Sequence, residues 1–584
     1  MQSAVSLLLW LLVMLTLQRP PPLLLRNGQR CDRFDDATGQ PDARALDRIG
    51  LETALRSHLL PLMDAGAITP VAATSRADFR RMEPHLRAVL GPVACKIATK
   101  EAIEEELLHM RRAHLACRAE RRTPDAESCR TWSTGTLALV VLSCLTGLAL
   151  LAFIHPGILL WGLFGWAAIT LVAVTGLRVT AAVAQLLHLR RKGRVWRSAR
   201  SVEGPPDRLP PISLLVPLYK ERDIAARLVK RLSALDYPRD KLEVALILEW
   251  GDETTEMALH AAALPPWMRI IRVPGGQLRT KPRAMNYALD FLGGEIVGIY
   301  DAEDAPARDQ LMNVVTAFEK APQNIACLQG ALDFYNAPKN WLTRCFTIDY
   351  AVWFRLILPG FARLGFVLPL GGTTVFFRRS ALENLGRWDA HNVTEDADLG
   401  LRLARRGYRC GFLPTVTEEE ATDTLPAWLR QRSRWIKGYA MTWAVHMRDP
   451  LHLLGELGWM RFLGVQVLFL GTLSQFLLAP LLWSFWLILF GIPHPITSIA
   501  PWEAVVALAA LFFFCEVVTL LTSAMAVARP KHRWLIKWVP LMHFYFPLAA
   551  IASWKGFAEM LSRPFYWDKT AHGKDPTSGP VTTA

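Results

Sequence analysis

The chain is 584 residues long, 52% of them hydrophobic, with a formal net charge of +14 and a mean hydropathy of +0.20. That length has room for several domains, and that apolarity excludes an ordinary soluble enzyme and points to a membrane protein. The basic residues lie in short blocks beside apolar runs, which suits a membrane surface and excludes the long stripe of a nucleic-acid binder.

In chain order, residues 4–17 are apolar but too short for a full span, lack a basic leader and run into Pro20-Pro21-Pro22. Residues 1–41 therefore read as a membrane-associated segment and linker. Residues 42–134 read as a small soluble domain, with helical periodicity at Leu51, Leu55, Leu59 and Leu60 and a break at 66–70. This stretch resembles the small N-terminal domain of type II secretion ATPases, which in some relatives binds a cyclic dinucleotide. The binding signature is not evident here, so scaffolding or docking is the expected role. The nine cysteines are scattered, with no C-x-x-C pair and no His at zinc-ligand spacing, as reduced cytosolic residues would be.

Residues 135–187 read as a transmembrane hairpin: apolar runs at 136–153 and 158–177 flank the breaker His155-Pro156-Gly157. Arg111, Arg112, Arg118, Arg121, Arg122 and Arg130 precede the pair, and a second basic block starts at Arg190, so both flanks are expected in the cytosol. Apolar runs resume at 462–492, 502–527 and 535–552, within interfacial and transmembrane helices spanning 446–554, before a tail at 555–584. The first of these is long for one span and short for two, with Pro480 in its middle, and reads as a tilted or an interfacial helix.

Between these helices, residues 188–445 alternate strand-like and helix-like units. Strands are expected at 212–216, 242–248, 269–273 and 295–300, and helices at 225–235, 256–263 and 281–292. The alternation predicts an α/β domain with a mostly parallel, helix-covered sheet, whose ligands gather at the carboxyl ends of the strands. Three of those four ends carry acids: Pro217-Leu218-Tyr219-Lys220-Glu221, Glu249-Trp250-Gly251-Asp252 and Asp301-Ala302-Glu303-Asp304. Unpaired buried carboxylates are costly, so a cation or polar ligand is expected among them. Asp301 and Glu303 suit a hard divalent ion, Mg²⁺ or Mn²⁺, shared with substrate phosphates. Alone, Asp-x-Glu more often marks a solvated loop.

Thr394-Glu395-Asp396 opens a helical run at 399–406. Thr394 reads as an N-cap with acids at the positive helix end, a setting that also suits a catalytic base. Gln431-Arg432-Ser433-Arg434-Trp435 lies in a helix starting near Ala427, which an amphipathic membrane-surface helix explains equally well.

Taken in order, Pro217-x-Tyr219-x-Glu221, the Lys281-x-x-Ala284-x-Asn286-x-Ala288-Leu289 helix, Asp301-Ala302-Glu303-Asp304, Thr394-Glu395-Asp396 and Gln431-x-x-Arg434-Trp435 resemble family-2 glycosyltransferases. More narrowly they resemble the membrane-embedded, often processive branch with cellulose, chitin and hyaluronan synthases. The resemblance covers residues 210–445. It implies a Rossmann-like GT-A fold and inverting transfer from a nucleoside-diphosphate sugar, with a UDP-sugar expected. It also implies that Asp301 and Glu303 hold the metal, with Asp304 able to substitute, and that Asp396 is the general base, Glu395 being counted with it. Gln431, Arg434 and Trp435 would line the acceptor and diphosphate region. Pro217, Tyr219, Glu221, Lys281 and either Glu249 or Asp252 would hold the nucleotide. Gly371-Gly372-Thr373 would form a close-approach loop beneath the acceptor, a plain strand turn being the competing account.

The chain departs from the family in having Glu249-Trp250-Gly251-Asp252 for Asp-Asp-Gly, and Asp-x-Glu for Asp-x-Asp. The expected activity is extension of a polysaccharide by a multi-pass inner or plasma membrane enzyme with its catalytic domain in the cytosol, with or without an export partner. Single-sugar transfer to a lipid or secreted acceptor, and a non-catalytic nucleotide-sensing receptor, are the alternatives. Trp483, Trp486, Glu516, Lys537 and His543 in the later spans bear on a membrane path, although Glu516 and His543 also suit a structural pair.

Overall fold

The computed structural model describes residues 39–63, 66–191, 208–221 and 225–567. The apolar stretch at 4–17, most of the basic block after Arg190, and the tail beyond Trp567 lie outside the described residues. The chain divides into two compact units, Met1–Met110 and Arg111–Ala584.

In the first unit, β1 (Leu59–Pro61), β2 (Thr69–Ala73) and β3 (Val93–Ile97) form a sheet in that order, antiparallel then parallel. The Arg76–Leu90 helix packs Phe79 and Leu86 against Leu59, Val71 and Val93. Ser75 caps that helix, its hydroxyl accepting the Asp78 N–H at 3.1 Å.

In the second unit the strands are β4 (Ile212–Leu218), β5 (Leu242–Glu249), β6 (Met268–Val273), β7 (Ile296–Ile299), β8 (Ala305–Pro306), β9 (Ile325–Phe334), β10 (Val375–Arg378) and β11 (Arg409–Glu419). They form one sheet in the order β6-β5-β4-β7-β10-β9-β11-β8. The first four run parallel, as expected from strands that are apolar on both faces. β10 runs antiparallel to both β7 and β9, and β8 antiparallel to β11, so the sheet is mixed. Leu214, Val216, Leu228, Val314 and Phe318 are among the side chains that fill its core.

Five helices among the described residues are long and apolar enough to cross a membrane: Thr134–Ile154, Pro156–Arg190, Trp341–Leu364, Trp459–Ile488 and Trp502–Val527. The first two meet at His155-Pro156, where the breaker was expected. Trp341–Leu364 was not expected, because Arg344, Asp349, Arg355 and Arg363 interrupt its apolar pattern; it lies mostly buried inside the protein. The run at 462–492 proves to be one long helix with a wide turn at Gln466–Gly471 and Pro480 inside it. The run at 535–552 is instead a pair, Arg533–Tyr545 and Leu548–Ser562, bent by 47° beside Pro547, which lacks the N–H a continuous helix would use. Asp333 at the end of β9 anchors this region. It accepts from Arg355 at 2.7 Å and Lys531 at 3.1 Å, and lies 3.0 Å from His532 Nε2.

Candidate active site

The carboxyl ends of the parallel strands converge on one cleft. Beyond β4, Lys220 adopts a left-handed backbone (φ 54°), and its N–H donates to Asp252 at 2.6 Å. Thr255 donates to the same carboxylate from its N–H at 3.2 Å and its hydroxyl at 2.7 Å. Asp252 thus holds a turn and caps the Glu253–Ala261 helix, and it does not line the cleft. Glu249 does, with Pro217, Tyr219 and Glu221. Its Oε2 lies 3.4 Å from Arg283, its Oε1 is buried without a partner among the described residues, and burial lifts its carboxyl to about 7 against the pull of Arg283. Of the two acids left open for the nucleotide, Glu249 is the one facing the cavity.

Beyond β7, Asp301 and Glu303 line the cleft, while Asp304 turns inward and is fully buried. Asp304 accepts the Asp301 N–H at 2.8 Å and the Thr373 hydroxyl, holding the turn from beneath. Burial, reinforced by Asp301 and Glu303, pushes its carboxyl well above the usual range. Asp304 therefore does not face the cleft beside Asp301 and Glu303. Arg231 donates to the Glu303 carbonyl at 2.8 Å and fixes the same turn from the adjacent helix.

Lys281 opens the Lys281–Ala288 helix and donates to Asp301 Oδ1 at 2.5 Å and to the Gly372 carbonyl at 2.8 Å. Burial opposes its charge, but Asp301 and then Glu395 hold its pKa above the usual lysine value. Asn286, from the same motif, is a brace instead, donating to the carbonyls of Ala119 at 2.9 Å and Trp388 at 2.8 Å. The Gly371-Gly372-Thr373 segment packs closely against Asp396 and Phe354. A Cβ on Gly372 would sit 3.1 Å from Asp396 Oδ2, and one on Gly371 3.2 Å from the Phe354 ring.

Glu395 and Asp396 begin the Glu395–Arg405 helix. Thr394 is its N-cap by position only: its side chain makes no capping bond, and its N–H donates to Asn392 at 3.0 Å. Asp396 Oδ1 accepts the Ala397 N–H at 2.8 Å. Burial raises both carboxyls. That of Glu395 is pushed up to about 8, with the Asp396 charge the next cause, and Lys281 opposes the shift at both.

Across the cleft, the Leu425–His446 helix presents Gln431, Arg434 and Trp435. The Arg434 guanidinium lies over the Trp567 ring, 4.3 Å from its centroid. Trp435 packs near Phe346 and Tyr350, at 6.2 Å and 6.3 Å between centroids. Gln431 accepts from the Thr422 hydroxyl at 3.5 Å. Arg432 pairs with Asp349 and donates to the Tyr545 hydroxyl at 2.9 Å, tying the motif to the membrane-side helices.

Sequence reasoning missed Glu419, which ends β11 and lines the cleft; the rule of acids after strands would have found it. Its Oε1 is buried without a partner among the described residues, and burial, then Asp304, Glu303 and Asp301, raise its carboxyl. Also missed was the extent of the space. One cavity of about 1050 Å³ touches these carboxylates and continues along Leu171, Leu473, Phe476 and Ala509 of the apolar helices. Glu516 and His543 lie in its wall, 3.0 Å apart, with Trp483 stacked on His543 at 4.9 Å.

Among the described residues, no three His, Cys, Asp or Glu side chains converge to hold a metal ion by themselves. The donors at the cleft are nonetheless all oxygen. The acids also outnumber the bases: Glu221, Glu249, Asp301, Glu303, Glu395, Asp396 and Glu419 line the polar part with Arg279, Lys281, Arg432 and Arg434. That surplus fits a hard cation whose remaining ligands come from elsewhere.

Residues 296–516 match the family model described as "Glycosyl transferase family group 2". The chain is 30% identical to a beta-monoglucosyldiacylglycerol synthase of Nostoc sp. over 235 residues, 39% of this chain and 49% of that protein. It is 27% identical to the UDP-forming cellulose synthase catalytic subunit of Komagataeibacter sucrofermentans over 286 residues, 47% of this chain and 35% of that protein. The chain thus spans about half the length of the first of these relatives, and less of the second. Among solved structures, it is similar to the mannosyltransferase PcManGT from Pyrobaculum calidifontis in complex with GDP-Man and Mn²⁺, with 22% identity and a TM-score of 0.42 over 67% of this chain and 99% of that one. The segment that matches the glycosyltransferase family group 2 model thus lies within the mixed α/β sheet and the helices that follow it, and the cleft described above is built in large part from that segment.

Proposed function

We propose that the protein is a membrane glycosyltransferase that passes one sugar from a nucleoside-diphosphate sugar to the hydroxyl of a membrane lipid, with inversion. The observation that carries this reading is one continuous cavity with carboxylates in one part and the walls of membrane-type helices in another. Leu171, Val174, Leu468, Leu473, Val505 and Ala509 give that second part a hydrocarbon surface, which suits acyl chains. The chain's relatives include synthases named for a glucosyldiacylglycerol product.

In this reading Glu249, Tyr219 and Glu221 hold the nucleoside. Asp301 and Glu303 would hold Mg²⁺ or Mn²⁺, whose charge stabilises the departing diphosphate. Lys281 fixes Asp301 relative to the Gly371-Gly372 loop. Asp396 takes the proton of the acceptor hydroxyl as its oxygen bonds to the anomeric carbon, and the C–O bond to the diphosphate breaks with its electron pair on the nucleotide. Arg434 complements phosphate charge, and Trp435 offers a face to a sugar ring. The catalytic domain faces the cytosol, where nucleotide sugars are made.

A growing polysaccharide is the second reading, favoured by Trp483, Trp486, Glu516 and His543 in the cavity wall, which would suit sugar rings. The test is turnover by the purified protein in nanodiscs, with UDP- and GDP-sugars, Mg²⁺ or Mn²⁺, and diacylglycerol-containing membranes, followed by product analysis. A lipid bearing one sugar, lost with Asp396→Asn, is the expected result. A polymer ladder would establish the second reading, and nucleotide release unaffected by Asp396→Asn would overturn the assignment of the base.

A further inference from the structure

Arg178 in the cavity wall takes no part in the chemistry above. Leu171, Val174, Thr175 and Arg178 follow one another at spacings of three, one and three on the Pro156–Arg190 helix, and all four line the cavity. The Arg178 guanidinium makes no hydrogen bond or ion pair among the described residues. The carboxylate whose charge reaches it is Asp349, and Asp349 is already paired with Arg432.

Its depth is informative. The helix starts at Pro156, and at about 1.5 Å per residue a hydrocarbon layer of about 30 Å is crossed after about 20 residues. With Pro156 taken as the level of one bilayer face, Arg178 falls near the level of the lipid phosphates at the other face. An arginine at that depth ordinarily turns outward to the headgroups. This one lies on the cavity-lining face, where an unmet charge is costly and an anion is the natural counterpart.

We infer that Arg178 binds the phosphate of a lipid lodged in the cavity, so that the acceptor is an anionic phospholipid with a free headgroup hydroxyl rather than a neutral diacylglycerol. The phosphodiester meets the guanidinium, the hydroxyl turns to the carboxylate part of the cavity, and the acyl chains run along Leu468, Leu473 and Val505. This inference rests on the lipid-acceptor reading and deepens it.

The test measures binding, so it does not depend on turnover. Full-length protein in maltoside detergent is offered equal amounts of phosphatidylglycerol and diacylglycerol, and retained lipid is counted by native mass spectrometry. The wild type is expected to retain phosphatidylglycerol about fivefold or more over diacylglycerol, as a charge-assisted contact would give. Arg178→Gln should bring the two close to parity, and Arg178→Lys should keep part of the preference. Thr175→Glu, which leaves the guanidinium in place but sets a carboxylate one helical turn away, should also remove it, and serves should Arg178→Gln fail to fold. Equal retention by the wild type would overturn the inference. So would a preference that survives both Arg178→Gln and Thr175→Glu, because the basic surface alone would then explain it. Glycolipid formation on diacylglycerol without a phosphatidylglycerol preference would sink this inference and leave the transferase standing. The preference without any turnover would do the reverse.

Discussion

Asp396 and Asp398 are two residues apart on the Glu395–Arg405 helix, yet they occupy opposite chemical settings. Asp396 faces the cleft with the Ala397 N–H on its carboxylate and Lys281 as its first opposing charge, and burial raises its pKa. Asp398 faces the protein interior. Arg402 Nε donates to it at 2.7 Å, and His446 Nε2 lies 2.9 Å from its other oxygen. Burial alone would raise Asp398 as well, but Arg402 and then His446 carry it below the ordinary value. One carboxylate is left able to gain a proton; the other is fixed as an anion. Identical side chains on one helix thus acquire a chemical or a structural role from their counter-charges, not from burial.

The largest effect that would break this comparison is on turnover. Asp396→Asn keeps the size of the side chain and removes the base, so kcat should fall by about 10²–10⁴-fold while the thermal midpoint stays near that of the wild type. A variant with near-normal kcat would move the base elsewhere. Asp398→Asn should do the opposite. It strands the buried Arg402 guanidinium and should cost about 3–5 kcal/mol of stability, read as a lowered urea midpoint; its kcat per folded molecule should change far less.

The acid dependence of stability sharpens the contrast. Because the pKa of Asp398 is depressed on folding, its contribution is fully present above the unfolded value of about 3.9 and is lost as pH falls through the lower folded value. The wild type should therefore lose stability steeply only below about pH 4, and Asp398→Asn should lose the part of that slope due to this group. Asp396 has the reverse sign. Its raised pKa favours folding with the proton on, so any stability it lends is present at low pH and declines as pH rises, whereas activity needs the proton off. The acid limb of kcat/KM should accordingly lie above the ordinary aspartate range.

Much of this arrangement was legible in the sequence, for definite reasons. Acids after apolar strands marked Asp301, Glu303 and Glu249, because a parallel sheet gathers its strand ends at one edge. The sequence did not show which acids point where. Asp304 and Asp252 sit in turns, where the two-residue alternation of a strand no longer applies, and only tertiary contacts with Thr373 and Thr255 reveal that they hold loops. The Trp341–Leu364 helix escaped notice because Arg355 and Asp349 break its apolar pattern. Their partners, Asp333 and Arg432, are distant in the chain or on another helix. The cavity was illegible for the same reason, since its walls come from the Pro156–Arg190, Trp459–Ile488 and Trp502–Val527 helices and exist only once these pack together.

A smaller effect tests how closely Asp396 is positioned. Gly372→Ala would place a methyl 3.1 Å from Asp396 Oδ2, tighter than ordinary contact, so the carboxylate must give by a few tenths of an ångström. Misplacement of a reacting group by 1 Å costs on the order of 10²-fold, so the smaller shift should lower kcat by roughly three- to tenfold with KM for the donor little changed. A Gly372→Ala enzyme with full kcat would mean that the loop does not set the position of the base.

The smallest effect is expected beside it, at Glu395. Burial and the neighbouring Asp396 charge lift its carboxyl to about 8, so near neutral pH it carries its proton. Glutamine reproduces the shape and hydrogen-bonding capacity of that neutral acid, so Glu395→Gln should retain kcat within about threefold at pH 7. Removing the chance of a second charge should also ease ionisation of Asp396, because like charges in one site oppose each other's proton loss. The acid limb of the pH profile should then move to lower pH in Glu395→Gln. If instead Glu395→Gln loses activity as completely as Asp396→Asn, the two carboxyls act as a pair, and the division of labour along this helix begins at Asp398 rather than between its first two residues.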